Sequence, residues 1–218
     1  MPAGDLSQRL GAWFGALDAI ALQSSQQAIR ALGAPAAGRP PSACALREDI
    51  ERVHSALAAA ITREVPRPID IEVAPGRRLR LGAEGPTAVR RGEDTGYAAY
   101  RQRHLELQRH MEQMIAPLRD HVRQAVARAS RSLHQLAALD AAMERILAPR
   151  EQALLPAAAG LLEQRQRALR AQADPRNSDA WRGPFETEWR NALHAELALR
   201  LEPVMGMVDA LAETTEQH

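Results

Sequence analysis

Seven histidines, one cysteine and a local run of arginines are the residues of this chain that invite a chemical reading. Glu51 and His54 stand in the Glu-x-x-His spacing that places two metal ligands on one helical face in di-iron bundles. No second Glu-x-x-His occurs, so half of a di-iron set is missing and neither a metal nor any other cofactor is expected. Glu106 and His110 are one helical turn apart and read as an i, i+4 surface contact. His104, His121 and His194 lack cysteines or carboxylates at zinc spacing and read as solvated or as satisfied core histidines. Cys44 needs a neighbouring histidine and acid to become a nucleophile, and the sequence nominates neither; a small buried or loop thiol is the expectation. No phosphate-cradling loop, nucleophile elbow or dinucleotide fingerprint occurs, and no catalytic residue is assigned.

Two clusters remain. Arg77, Arg78, Arg80, Arg90 and Arg91 lie in one stretch in which Glu84 is the sole acid before Glu93. Guanidinium forks there suit phosphates or an acidic protein surface, whereas an exposed loop kept soluble by charge is the plainer reading. The chain has few aromatics, 3%, yet Trp13, Phe14, Trp181, Phe185 and Trp189 gather at the starts of the first and last helical regions. Burying such rings together contributes roughly 2 kcal/mol each, so they form either a core lock or a partner-binding hot spot.

These side chains need a scaffold, and its class follows from composition. Hydrophobic residues make up 45% of the 218, nearly all of them aliphatic, which suits helix-on-helix packing and disfavours a sandwich or barrel. All 28 basic residues are arginine; against 27 acids they leave a net charge of +1, so no global field draws the chain to nucleic acid or membrane. The N-terminal sequence has no secretory pattern, no apolar run approaches the roughly 20 residues of a membrane span, and one cysteine forms no internal disulfide. A cytoplasmic protein is the expectation.

Hydrophobic periodicity gives an all-α bundle of five to six kinked helices, with a long helical hairpin of coiled-coil type and an irregular Arg-rich insertion. Residues 1–64 hold two helices. The first opens at Asp5 with the stripe Leu6, Leu10, Trp13, Phe14 and Leu17 and stops at Gly33 and Pro35; the second is capped by Ser42 and follows Leu46, Ile50, Val53, Leu57 and Ile61. Residues 65–96 are the Arg-rich linker or hairpin, with Ile69, Ile71 and Val73 alternating as a strand would. Residues 97–218 hold the long hairpin and C-terminal helices, packing with the N-terminal pair as one unit. A helix from Tyr97 carries Pro117; Ser132 and Gln135 look like the cap of its return partner, Pro149 and Pro156 punctuate the stretch with Leu154, Ala158, Leu161, Leu162 and Leu169, and Pro203 kinks or divides the last region.

Three blocks carry a resemblance: DLSQRLGAWFGALDAIAL at 5–22, LAALDAAMERILAPREQALLPAAAGLLEQR at 136–165 and LHAELALRLEPVMGMVDAL at 193–211. Together they resemble a proteobacterial family of unknown function whose members are similar to accessory proteins encoded beside flagellar-stator-like ion channels, including Zorya-type anti-phage systems. The Arg-rich middle departs from that pattern. The resemblance implies a cytoplasmic component of a defence complex that couples to the motor's intracellular tail or acts on invading DNA, with a co-encoded helical partner.

The reading is therefore a non-enzymatic helical adaptor or effector subunit that binds protein. The alternative is a nucleic-acid-binding effector using the Arg-rich segment, and homo-oligomerisation is a further option; insertion into a membrane is not expected.

Overall fold

A computed structural model of the chain describes residues 16–33, 42–63, 95–173, 177 and 179–216. The expected start of the first helix at Asp5, the loop at 34–41 and the alternating strand-like stretch after Pro68 lie outside the described residues. What is described is all-α: five helices and, among these residues, no strand. They are α1 (Ala16–Arg30), α2 (Ala43–Thr62), α3 (Thr95–Ala127), α4 (Arg131–Gln172) and α5 (Arg182–Glu216).

Each boundary has a local cause. Ser42 is extended and its hydroxyl accepts the Ala45 N–H at 3.2 Å, which satisfies one of the free donors at the start of α2. The cap of α4 is Ser130, not Ser132: its hydroxyl accepts the Leu133 N–H, and the helix has begun before Ser132 is reached. The Ser-x-x-Gln pattern misled because Ser130, two residues earlier, already stands where the chain turns out of α3. At the end of α1 the chain closes through Leu32 N–H to Ile29 O at 3.1 Å, and no described glycine, Gly33 included, takes a left-handed φ. Proline does not divide the long helices. α3 runs through Pro117, α5 through Pro203, and α4 is helical over all 42 residues, Pro149 and Pro156 among them. Long stretches of packing on both sides of Pro117 and of Pro203 outweigh one missing N–H.

Cross-helix bonds give the topology. Tyr97 reaches Ala159 and Arg123 reaches Asp140, so α3 and α4 form the antiparallel hairpin. Tyr100 to Glu186 and Gln108 to Glu196 advance together, so α3 and α5 are parallel. Arg103 to Ala60 and Arg47 to Asp209 set α2 antiparallel to both. α3 and α5 touch each other and both α2 and α4, while α2 and α4 do not meet. The four therefore form a bundle of rhombic cross-section with α3 and α5 on its short diagonal. Among the described helices, α1 stands outside this bundle and packs against α4 alone.

The core is the meeting of the predicted stripes. Leu46, Leu57 and Ile61 of α2, Leu107, Met111 and Val122 of α3, and Leu193, Leu197, Val204 and Val208 of α5 are buried in one cluster. Removing each aliphatic side chain from water contributes about 1.5–3 kcal/mol. The second half of α4 departs from the expected stripe. Leu161 is 65% exposed and Ala158 faces outward, while Ala159 and Gln166 are buried and Leu162 and Leu169 lie against the core. The polar Gln166 occupies an inward position that hydrophobic periodicity assigns to its neighbours. No described helix is long and apolar enough to cross a membrane.

Candidate functional site

The parallel contact of α3 and α5 gathers the aromatic residues. Phe185 meets Tyr100 edge-on at 5.0 Å and Tyr97 at 6.2 Å; Trp189 meets Tyr100 at 5.7 Å; Trp181 lies 5.9 Å from Phe185. These are the offset and edge-to-face geometries that ring quadrupoles favour. Trp181, Phe185 and Trp189 are all buried, so the last helix presents its rings inward, to two tyrosines of α3. Trp13 and Phe14, the other half of the sequence cluster, lie outside the described residues. Sequence reasoning named Tyr97 as the start of a helix but missed it and Tyr100 as ring partners, although their i, i+3 spacing puts both on one face.

Both phenols are anchored. The Tyr97 hydroxyl donates to the Ala159 carbonyl of α4, and burial, with Glu163 nearby, pushes its pKa up to about 12. The Tyr100 hydroxyl donates to Glu186 Oε1 at 2.7 Å, and burial together with that carboxylate raises its pKa further. One turn along α3, His104 corrects the expectation of a solvated or satisfied histidine. It is 2% exposed, packs 6.4 Å from Trp189, and among the described residues neither ring nitrogen has a hydrogen-bond partner; the Trp189 indole N–H has none either. Burial lowers the His104 pKa, against a weaker pull upward from Glu196. Glu196 itself accepts from Gln108 at 3.0 Å and from Arg200.

The α3–α4 hairpin carries an ion cluster that sequence reasoning did not find. Arg119 and Arg123, one turn apart on α3, face Asp140 and Glu144, one turn apart on α4. Asp140 accepts from Arg119 Nε at 2.9 Å and from Arg123 Nη2 at 2.6 Å, and its side chain is 10% exposed. Burial would raise its pKa, yet the hydrogen bonds and charges of the two arginines hold it below the usual range. The available signal was two i, i+4 pairs of opposite sign placed on either side of the turn at Ser130.

Two open clefts flank these features. One, of about 540 Å³, runs between α1 and α4; its walls include Ala28, Ile29, Leu32, Ala138, Ala141 and Ala142, with Arg123, Glu144 and Arg145 at its edge. The other, of about 400 Å³, lies between the end of α2 and α3 and is lined by Arg63, Arg103, Glu106, Leu107, Arg109 and His110, with Ala60 and Gln113. Glu106 and His110 are exposed, but Glu106 is engaged by Gln102 and Arg103 in place of the expected contact with His110.

The remaining sequence candidates are dispersed. Arg77, Arg78, Arg80, Arg90 and Arg91 lie outside the described residues. Cys44 is neither buried nor in a loop: it is exposed on the first turn of α2, 3.8 Å from Glu48, because Ser42 starts the helix just before it. Glu51 and His54 share a helix face at 4.0 Å, and no group of three or more metal-ligating side chains occurs among the described residues.

A family model described as "Protein of unknown function (DUF3348)" matches residues 1–213. No curated protein and no solved structure matches the chain.

Proposed function

The chain belongs to the DUF3348 family of unknown function, and from that premise we propose that it is a non-catalytic docking subunit that receives a helix of a partner protein. The observation that carries this reading is the apolar cleft between α1 and α4. Among the described helices α1 rests on one neighbour, and the cleft beside it is walled by small side chains, Ala28, Ala138, Ala141 and Ala142, that allow a helix backbone to approach closely. An amphipathic helix laid into such a groove buries its apolar face while its flanking charges meet Glu144 and Arg145. Leu199 and Met205, 68% and 50% exposed on α5, add apolar surface elsewhere on the bundle.

The three sequence blocks that resemble ion-motor-linked accessory proteins support a finer placement. In that placement the subunit works in the cytoplasm within a Zorya-like anti-phage complex, and the partner is a co-encoded helical protein or the intracellular tail of the motor. The test is co-purification with the co-encoded proteins, comparing the native chain with Ala138→Glu and Ala141→Glu. Loss of the partner at unchanged melting temperature supports the docking reading. Partner binding equal to that of the native chain by both variants refutes the cleft as the docking surface.

A further inference from the structure

We infer that the cleft between the end of α2 and α3 is an anion site that holds a phosphate of a nucleic-acid backbone. Most described arginines are matched by acids: Arg47, Arg119, Arg123, Arg165, Arg190 and Arg200 all sit in ion pairs. Exposed arginines without an acid also occur elsewhere, at Arg128 and Arg131 for example, but in the cleft two of them line one concavity. Arg63 and Arg109 are exposed, and neither has an ion pair or hydrogen-bonded partner among the described residues. Glu106, the acid in the lining, is already engaged by Gln102 at 3.0 Å and by Arg103 at 3.6 Å. Arg103 in turn donates to the Ala60 carbonyl at 3.0 Å, which offsets the negative end of α2 where it borders the cleft. Among the described residues, the result is a concave surface whose lining carries three arginines against one acid, Glu106.

The surroundings of that charge favour a sugar-phosphate chain over an acidic peptide. His110 and Gln113 add side-chain hydrogen-bonding groups, and Leu107 and Ala60 supply an apolar floor against which a sugar can pack. Guanidinium groups, amides and backbone contacts of this kind position a phosphate without reading bases. The cleft is open, so a polymer can continue beyond it. This inference concerns a different face from the α1–α4 cleft and stands or falls apart from the docking reading.

The experiment is fluorescence anisotropy of the full chain with a labelled single-stranded oligonucleotide and its duplex, across a salt series. The test variant is Arg63→Glu/Arg109→Glu. Its control is Arg128→Glu/Arg131→Glu, which changes net charge equally at two exposed arginines of the α3–α4 turn that have no ion pair among the described residues. The native chain and the control should bind with affinity that falls steeply with salt. The test variant should bind at least about tenfold more weakly, with a slope in log salt reduced by about one to two, as expected for the loss of one or two phosphate contacts. Arg63→Gln/Arg109→Gln should show the same direction with a smaller effect. Three results overturn the inference: no salt-dependent binding by the native chain, equal affinities of test and control variants, or polyglutamate competing as well as unlabelled oligonucleotide.

Discussion

His104 and Trp189 lie side by side in the α3–α5 interface with three polar atoms buried and unpartnered: both imidazole nitrogens and the indole N–H. A buried polar atom without a partner costs about 1–3 kcal/mol, so this pair lowers the stability of the bundle where α3 meets α5.

The pair makes stability pH-dependent in a defined window. Burial holds the folded His104 pKa below its ordinary value of 6.5, so the neutral ring is the folded form. The stabilisation is fully present above about pH 6.5 and is lost as pH falls from there through the folded pKa, since the unfolded chain takes up the proton first. Each unit of depression is worth about 1.4 kcal/mol. Thermal melts from pH 8 to 5 should fall in this range for the native chain, and His104→Leu should flatten the profile while matching or exceeding native stability at pH 8. A native profile that His104→Leu leaves unaltered would show that the imidazole is not responsible.

Tyr97 gives the opposite sign at the alkaline end. Its hydroxyl ties α3 to the Ala159 carbonyl of α4, and its pKa is pushed up to about 12 from an ordinary 10. Its contribution is complete below pH 10 and declines as pH rises from 10 towards 12. Tyr97→Phe should lose about 1 kcal/mol in denaturant titrations at neutral pH. Phenolate absorbance in the native chain should show one or more groups that resist ionisation until the bundle opens.

Trp189 decides between a core lock and a hot spot for the aromatic cluster. It is fully buried against Tyr100 and His104, so Trp189→Ala should destabilise by about 3–5 kcal/mol. Calorimetry of the free chain reads this directly. A variant that melts with the native chain but no longer co-purifies with a partner would reverse the assignment and make the indole part of an interface.

Helical class and most of the core were legible because burial follows the 3.6-residue period. Every position in the stripe Trp181, Phe185, Trp189, Leu193, Leu197, Leu201, Val204, Val208 and Leu211 is buried. What sequence could not carry was the relation between elements. Nothing in the spacing of His104 tells which helix covers it, so its unpaired nitrogens were invisible, and the choice between Leu161 and Gln166 as inward residues on α4 depended on where Tyr97 and α5 sit. The two clefts exist only once α1 is laid on α4 and α2 on α3. The Arg63–Arg109 site joins residues far apart in sequence, neither of which belongs to the five-arginine run that composition singled out.

The hairpin ion cluster yields the last prediction, because its geometry separates pairing from mere charge. Asp140 receives hydrogen bonds from both Arg119 and Arg123, and Glu144 contacts the same two arginines. Asp140→Asn removes the central charge and leaves two largely buried guanidiniums sharing Glu144, which should cost about 2 kcal/mol. Because the folded Asp140 pKa lies below its ordinary 3.8, its contribution is present above about pH 4 and disappears as pH falls through the folded value. That window is separate from the one belonging to His104, so acid titration of the native chain should show two stages, and Asp140→Asn should remove only the lower. Replacing Arg119, Arg123 and Asp140 together by Met, Met and Leu should recover most of the lost stability, since well-packed apolar side chains substitute for a desolvated ion cluster at little or no net loss. If the triple variant instead melts well below Asp140→Asn, the network is a net source of stability and the hairpin depends on its charges.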